Sequence, residues 1–150
     1  MKPLAVCKLR TAGLASVNSA KFGMVRHSAD GTPRAHQGID LIAEPNTEVL
    51  AVANGTIVAI AQGLNGYGYT LTLKVSNLFA FYAHLSKFKV SVGDEVRKGD
   101  VIAYSGHTGN AEGMNDVKHG SHLHFEIRAE QNCGLGLTGR LDPLKYVELD

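Results

Sequence analysis

The sequence has no tryptophan, only two cysteines, and no long block of either charge. Its formal net charge is +1, and without a basic stretch nucleic acid is not expected as a partner. No segment approaches the ~20 consecutive apolar residues of a membrane-spanning helix. The chain nevertheless has 44% hydrophobic and 19% charged residues, the composition of a folded globular protein rather than a disordered one.

The N-terminal segment, residues 1–21, begins like an export signal but shows no clear hydrophobic period. Lys8 and Arg10 interrupt its apolar residues, so no signal peptide can be recognised. We therefore predict an N-terminal arm or leader over residues 1–21 and a single domain over residues 22–150. Export would then need a non-classical route, or the chain is a domain cut from a longer exported protein.

The two cysteines, Cys7 and Cys133, allow two interpretations. They are either unrelated small buried residues or a disulfide that ties the N-terminal segment to the C-terminal region. Neither belongs to a C-x-x-C pair, so a zinc site built on cysteine is not expected.

Seventeen glycines in 150 residues indicate many turns and therefore many short strands. Residues 67–75 and 121–128 alternate apolar and polar side chains, as half-buried strands do. Residues 48–62 form two apolar runs around Asn54-Gly55, a pair that predicts a hairpin turn. Residues 46–60 and 93–104 also resemble one another, which suggests two related β units. We predict an all-β fold of antiparallel sheets, with a long loop over residues 105–121.

Seven histidines are present, and the spacing of some of them suggests a metal site. His36 and Asp40 form a His-x-x-x-Asp pair, and His122 and His124 lie two residues apart on a predicted strand, on the same face. Catalytic zinc takes three protein ligands from His, Asp or Glu and keeps one position open. His36, Asp40 and one of the strand histidines would supply that set, and His84 could add another imidazole.

Three strings of the sequence resemble the signatures of the lysostaphin-type (LytM-like) metallopeptidases, in the family's order. They are HQGIDL at residues 36–41, YAHLS at 82–86 and GSHLHFE at 120–126. The flanking strings FG, VGD, KGD and DPL agree too, and the resemblance extends from about residue 22 to residue 147.

The resemblance implies a role for each residue of these motifs. His36, Asp40 and His124 would hold one Zn²⁺ ion, and His84 and His122 would act in catalysis. The implied fold is an antiparallel β-sheet core, a duplicated hybrid motif, with a groove whose floor carries the zinc. The implied activity is hydrolysis of peptide cross-links in bacterial peptidoglycan.

The remaining polar residues receive more ordinary interpretations. We expect His27, His107 and His119 to lie in loops and to be solvated. Glu126 shares the face of the strand histidines and either orients a ligand or faces solvent. The loop before His122 is longer than the turn usual in the family, and we expect it to form one wall of the groove.

The substrate and the biological setting have several candidates. D-Ala–diaminopimelate cross-links are favoured over glycine-rich bridges, because cutters of glycine bridges often carry a wall-binding module. We expect action in the cell envelope, either by an excised catalytic domain or by an antibacterial effector delivered by a secretion system or phage. An effector would need a cognate immunity protein as a partner.

Two other classes of function compete with the peptidase. A non-catalytic envelope protein that binds or activates wall hydrolases is the principal alternative, although this chain retains all five functional positions. A phosphocarrier or a biotin/lipoyl carrier is suggested by the repeated β unit, but no lysine occupies the expected tip at Asn54-Gly55.

Overall fold

The computed structural model describes residues 1–63 and 66–150, which form eleven β-strands and no α-helix. Four single-turn 3-10 helices lie at Val17–Ala20, Gly109–Ala111, Val117–His119 and Pro143–Lys145. The strands are β1 (Gly23–His27), β2 (Pro33–His36), β3 (Ile39–Ile42), β4 (Glu48–Leu50), β5 (Gly55–Gln62), β6 (Tyr69–Val75), β7 (Leu78–Phe88), β8 (Glu95–Val96), β9 (Val101–Ser105), β10 (His122–Arg128) and β11 (Arg140–Leu141).

All strand pairings are antiparallel, which confirms the predicted fold class. β1 and β2 form a ribbon of their own, and the other nine strands form one sheet. Strand β10 pairs with β7 on one edge and with β3 and then β11 on the other. This central place brings the motif on β10 against both other signature motifs. Among the described residues, no helix has the length and apolar character that a membrane crossing needs.

The core lies on one face of this sheet. Leu123, Phe125 and Ile127 point into it from β10, and the Phe125 ring meets the edge of the Tyr82 ring at 5.1 Å between centroids. The polar residues that alternate with them are also buried, since all seven residues of β10 are covered. The expectation of half-buried strands is therefore wrong for β10. It is also wrong for much of β6, where Thr70 and Thr72 are buried as well.

The predicted hairpin at Asn54-Gly55 is wrong. Strand β4 pairs with β9, and β5 pairs with β6 and β8, so the two apolar runs do not pair with each other. Asn54 accepts a hydrogen bond from the backbone N–H of Lys98 at 2.8 Å. Gly55 allows the backbone of β5 to pack closely against β6, because a Cβ there would lie 2.1 Å from the carbonyl oxygen of Lys74. The two β units suggested by the sequence therefore pair with each other, β4 with β9 and β5 with β8.

The N-terminal segment packs into the same core as the sheet. Leu4 and Cys7 are fully buried in it, and Leu9 forms a β-bridge with Leu41 of β3. The domain boundary at residue 22 stays a prediction. Cys7 and Cys133 are both free thiols, so they are not joined by a disulfide; Cys7 is buried as expected, whereas Cys133 is only partly buried.

Candidate metal centre

Strand pairing brings the three predicted ligands together. Asp40 of β3 lies directly opposite His124 of β10, and directly opposed side chains on neighbouring strands are in contact range. His36 ends β2, and its Nε2 lies 3.1 Å from Oδ1 of Asp40. His124 places Nδ1 at 3.0 Å from the same oxygen. One ligand atom from each residue lies within 4.8 Å of the others, a spacing that suits one metal ion.

In each predicted ligand histidine, the ring nitrogen that points away from Asp40 makes a hydrogen bond of its own. Nδ1 of His36 lies 2.9 Å from the carbonyl oxygen of Lys21, which can only accept, so Nδ1 donates there. Nε2 of His124 lies 2.8 Å from the carboxylate of Glu126. The opposite nitrogens therefore face Asp40. A lone pair that faces a carboxylate oxygen needs a cation between them, either a proton or a metal ion. This donor set fits a metal such as zinc.

The charges of the ligands fit a cation site. Burial by itself lowers the pKa of His124, but hydrogen bonds to Asp40 and Glu126 outweigh it and raise that pKa to about 9. Burial acts to raise the pKa of Asp40, yet the adjacent imidazoles hold it well below its usual value. Asp40 is therefore a carboxylate, and only 1% of its surface is exposed.

His84 and His122 form a second pair beside the ligands. Their ring centroids are 5.0 Å apart. Nδ1 of His84 lies 2.8 Å from the Thr108 carbonyl oxygen, and Nδ1 of His122 lies 2.7 Å from that of Gly120. Each Nδ1 must donate to its carbonyl, so each Nε2 carries the lone pair.

The surroundings of this pair keep both imidazoles uncharged. Burial, with His122 and His124 nearby, lowers the pKa of His84 to about 3. Burial, only partly offset by Asp40, lowers the pKa of His122 to about 4. Both side chains are therefore neutral at pH 7 and can accept a proton at Nε2.

His84 has a backbone conformation that nothing in the sequence indicates. Its φ is +58°, in the left-handed region that non-glycine residues rarely adopt. It lies where β7 changes partner from β10, paired up to Ala83, to β9, paired from Leu85. The backbone N–H and carbonyl of His84 bond to Tyr67 and Gly106 at 2.9 and 2.8 Å. Strain of this kind costs about 1–3 kcal/mol and is found most often at functional sites.

Glu126 anchors a network behind the ligands, which decides between its two interpretations. It is fully buried, and its Oε1 accepts from Nε of Arg128 at 2.8 Å and from Nε of Arg140 at 2.7 Å. Burial acts to raise its pKa, but His124 and the two arginines lower it to about 2. Glu126 is therefore a charged group that orients His124.

Several residues around the site belong to no pattern that the sequence analysis could recognise. Arg10 and Arg26 donate to Oδ2 of Asp40, the oxygen that does not face His36 and His124. The Tyr67 ring lies 5.5 Å from the His124 ring. The amide of Gln37 donates to the Tyr67 hydroxyl. Of these residues, only Gln37 belongs to a motif string, and spacing alone could not have identified the rest.

The site opens into a groove of about 820 Å³. Asn110 and Met114 line it, so the long loop does contribute a wall. His27 also lines the groove and ends β1, so its predicted loop position is wrong. His119 is exposed on a 3-10 helix and contacts Asp116.

The model of peptidase family M23 matches residues 34–134, a range that includes all five predicted site residues. The chain belongs to peptidase family M23. This membership confirms the resemblance to lysostaphin-type metallopeptidases drawn from the motifs.

Three M23-like relatives illustrate the extent of the similarity. Mpg of Neisseria meningitidis, a DD-carboxypeptidase/endopeptidase, is 37% identical over 111 residues, which cover 73% of this chain and 24% of that protein. ALE-1 of Staphylococcus capitis, a glycyl-glycine endopeptidase, is 36% identical over 93 residues, covering 61% and 24%. The catalytic domain of the antimicrobial peptidase lysostaphin from Staphylococcus simulans has a TM-score of 0.68 at 28% identity, covering 84% and 87%. The chain thus spans about a quarter of the length of these two curated relatives.

Proposed function

We propose that this protein is a zinc-dependent endopeptidase that hydrolyses peptide cross-links of bacterial peptidoglycan. The observation that carries the proposal is that one groove contains two pairs of histidines with different hydrogen-bond partners. Two histidines share the carboxylate oxygen of Asp40, and two others hold uncharged Nε2 atoms beside them. A set of metal ligands next to groups that can accept a proton is an arrangement suited to metal-assisted hydrolysis.

Zinc is the metal proposed for His36, Asp40 and His124. Two imidazole nitrogens and one carboxylate oxygen are the ligand types that catalytic zinc uses, with a further position left for water. A bound zinc ion supplies Lewis-acid chemistry, which polarises a carbonyl and lowers the pKa of water to about 7.

His84 and His122 are proposed to move protons during hydrolysis. One Nε2 would accept a proton from the attacking water, and this same proton would then pass, directly or by way of the other Nε2, to the leaving amine. The Thr108 and Gly120 carbonyls keep both rings in the tautomer that this task needs. Overall, one water is consumed and one amide bond becomes a carboxylate and an amine.

The proposed substrate is the D-Ala–diaminopimelate cross-link, which makes the enzyme a D,D-endopeptidase. The groove wall carries His27 and Arg34 from the β1–β2 ribbon. Diaminopimelate brings carboxylates that these side chains can bind, whereas a glycine bridge has no side-chain charge. The relatives include a DD-carboxypeptidase/endopeptidase and a glycyl-glycine endopeptidase, so the positive charge of Arg34 at the groove wall is the argument for this choice.

The proposed place of action is the cell envelope, as part of a larger exported protein or as an antibacterial effector. An effector must be neutralised in its own cell, so the partner expected is an immunity protein that fills the groove. Expression of this chain in the periplasm of a diaminopimelate-containing host should lyse the cells, and lysis should require His124. Harmless periplasmic expression of folded protein would contradict the effector proposal.

The experiment that tests the function is digestion of purified cross-linked peptidoglycan, with products identified by mass spectrometry. We expect cross-linked dimers to become monomers, to stop doing so with a chelator, and to resume after zinc is added. Zinc binding without cleavage of either type of bridge would favour the alternative, a non-catalytic envelope protein.

A further inference from the structure

The N-terminal segment runs alongside the strand that carries Asp40. The backbone N–H of Arg10 donates to the carbonyl oxygen of Asp40 at 2.9 Å, and the N–H of Ile42 donates to that of Lys8 at 2.8 Å. With the Leu9–Leu41 bridge, these bonds extend the sheet by one short antiparallel segment. Arg10 is thereby fixed next to the proposed ligand.

The side chain of Arg10 is built into the site. Its Nη1 donates to Oδ2 of Asp40 at 3.1 Å, and its Nε donates to the carbonyl oxygen of Ala12 at 2.9 Å. A Cβ atom added to Gly13 or Gly120 would lie 3.0 or 3.1 Å from Nη2. Arg10 is only 5% exposed, so this ion pair is shielded from solvent. These hydrogen bonds and close contacts together fix the position of the Arg10 guanidinium group.

The two oxygens of Asp40 have separate partners. Oδ1 lies 3.1 Å from Nε2 of His36 and 3.0 Å from Nδ1 of His124. Oδ2 accepts from Nη1 of Arg10 and, at 2.8 Å, from Nη2 of Arg26. Oδ1 thus faces His36 and His124, whereas Oδ2 is held by the two guanidinium groups and also lies 3.6 Å from Nε2 of His122.

We infer that Arg10, assisted by Arg26, is a positioning residue of the metal centre. Its guanidinium occupies Oδ2 of Asp40, so that the carboxylate offers the metal only Oδ1. The inference rests on the proposed function in so far as that function places a metal on Asp40. It assigns a role to Arg10 and Arg26, both of which lie before the region that the M23 model matches.

The physical reason is that a carboxylate can bind a metal through one oxygen or through both. Without partners on Oδ2, Asp40 could rotate and bring both oxygens to the ion. Two directed cations on Oδ2 oppose that rotation and also withdraw charge from the ligand, which tunes the metal. Outer partners of this kind are worth about 10–100-fold in metal affinity or activity.

The test compares zinc affinity in the wild type and in R10Q, R26Q and R97Q, by competition with a chromophoric chelator. R97Q is the control, because Arg97 is exposed and the substitution makes the same change in charge. We expect zinc affinity to fall by about tenfold or more in R10Q. The fall should be smaller in R26Q, whose partly exposed side chain leaves Arg10 in place, and absent in R97Q.

A second readout separates positioning from general destabilisation. In cobalt-substituted protein, the visible absorption per bound metal reports coordination number. We expect weaker bands in R10Q than in the wild type, as Asp40 binds through both oxygens. If R10Q does not fold, R10K carries the test, since it keeps the buried charge but replaces the fork with one ammonium group.

The outcomes distinguish this inference from the function on which it rests. Wild-type zinc affinity and an unchanged cobalt spectrum in folded R10Q or R10K would overturn the positioning role alone. Tighter zinc binding in R10Q would also overturn it, since Arg10 would then compete with the metal. A wild-type chain that binds no zinc would overturn the proposed function as well.

Discussion

Four histidines lie in one groove, yet two pairs of them have opposite surroundings. His36 and His124 face the carboxylate oxygen Oδ1 of Asp40, whereas His84 and His122 donate to backbone carbonyls. The pKa of His124 is raised to about 9, and those of His84 and His122 are lowered to about 3 and about 4. Ring centroids of His84 and His124 are only 6.0 Å apart.

This contrast shows that hydrogen-bond partners, more than position in the groove, divide the proposed roles. The negative charges of the carboxylates around His124 stabilise a positive charge at this position, which a metal ion can supply. Carbonyls behind His84 and His122 fix the tautomer without adding charge, and burial keeps the rings neutral. One pair is suited to holding a cation and the other to accepting a proton.

The largest expected effect comes from removing a ligand of the first pair. His124→Ala should lose bound zinc and reduce cleavage to background, because two ligands hold the ion far more weakly than three. Zinc per molecule is measured by mass spectrometry on folded protein. His119→Ala is the matched control, since His119 is exposed and lies outside the groove lining. Stoichiometric zinc with full turnover in His124→Ala would show that His124 is not a ligand and that the two histidine pairs do not differ as proposed.

Removing one member of the second pair should separate catalysis from metal binding. His84→Ala or His122→Ala should keep zinc near the wild-type content and lower kcat by about a hundredfold, the usual worth of a general acid or base. Zinc content and steady-state kinetics on the same preparation check this expectation. Loss of zinc from either folded variant would mean that the two pairs are not distinct.

A smaller effect is expected when the carboxylate behind His124 is neutralised. Glu126→Gln should weaken zinc binding by about 10–100-fold, since the ligand loses its charged acceptor. Glu130→Gln makes the same change at an exposed position and should bind zinc normally. Equal affinities in the two variants, measured by chelator competition, would show that the carboxylates do not define the first pair.

The smallest effect is expected at an exposed residue of the groove lining that contributes no polar side-chain group. Leu135 is 92% exposed, lies in the groove lining, and sits between glycines whose carbonyls accept from Arg140. Leu135→Ser should raise KM about fivefold with kcat unchanged, equivalent to about 1 kcal/mol of lost apolar contact. Val92→Ser, at an exposed position outside the groove, is the control. A change in kcat instead of KM would show that this residue acts on chemistry.

Short-range patterns predicted much of this molecule. A spacing of two on a strand placed His122 and His124 on one face, and the motif strings brought His36 and Asp40 to the same groove. Such patterns work because strand geometry repeats within a few residues. The all-β antiparallel fold followed from the same kind of signal.

Long-range contacts explain what the patterns missed. Asn54-Gly55 has the composition of a hairpin turn, but pairing with distant strands decided its structure. Thr72 belongs to a polar face that other parts of the chain cover. Arg10 reaches Asp40 across 30 positions, and the positive φ of His84 depends on a change of strand partner. None of these features produces a short-range pattern of apolar and polar residues that could be recognised in the sequence.

The most direct test of the comparison is a crystal structure of the zinc-loaded protein, with anomalous scattering recorded at the zinc edge. We expect one anomalous peak within ligand distance of His36 Nε2, Asp40 Oδ1 and His124 Nδ1, with the Nδ1 atoms of His84 and His122 still on their carbonyls. A peak coordinated by His84 or His122 instead would contradict the division of the histidines into ligands and bases.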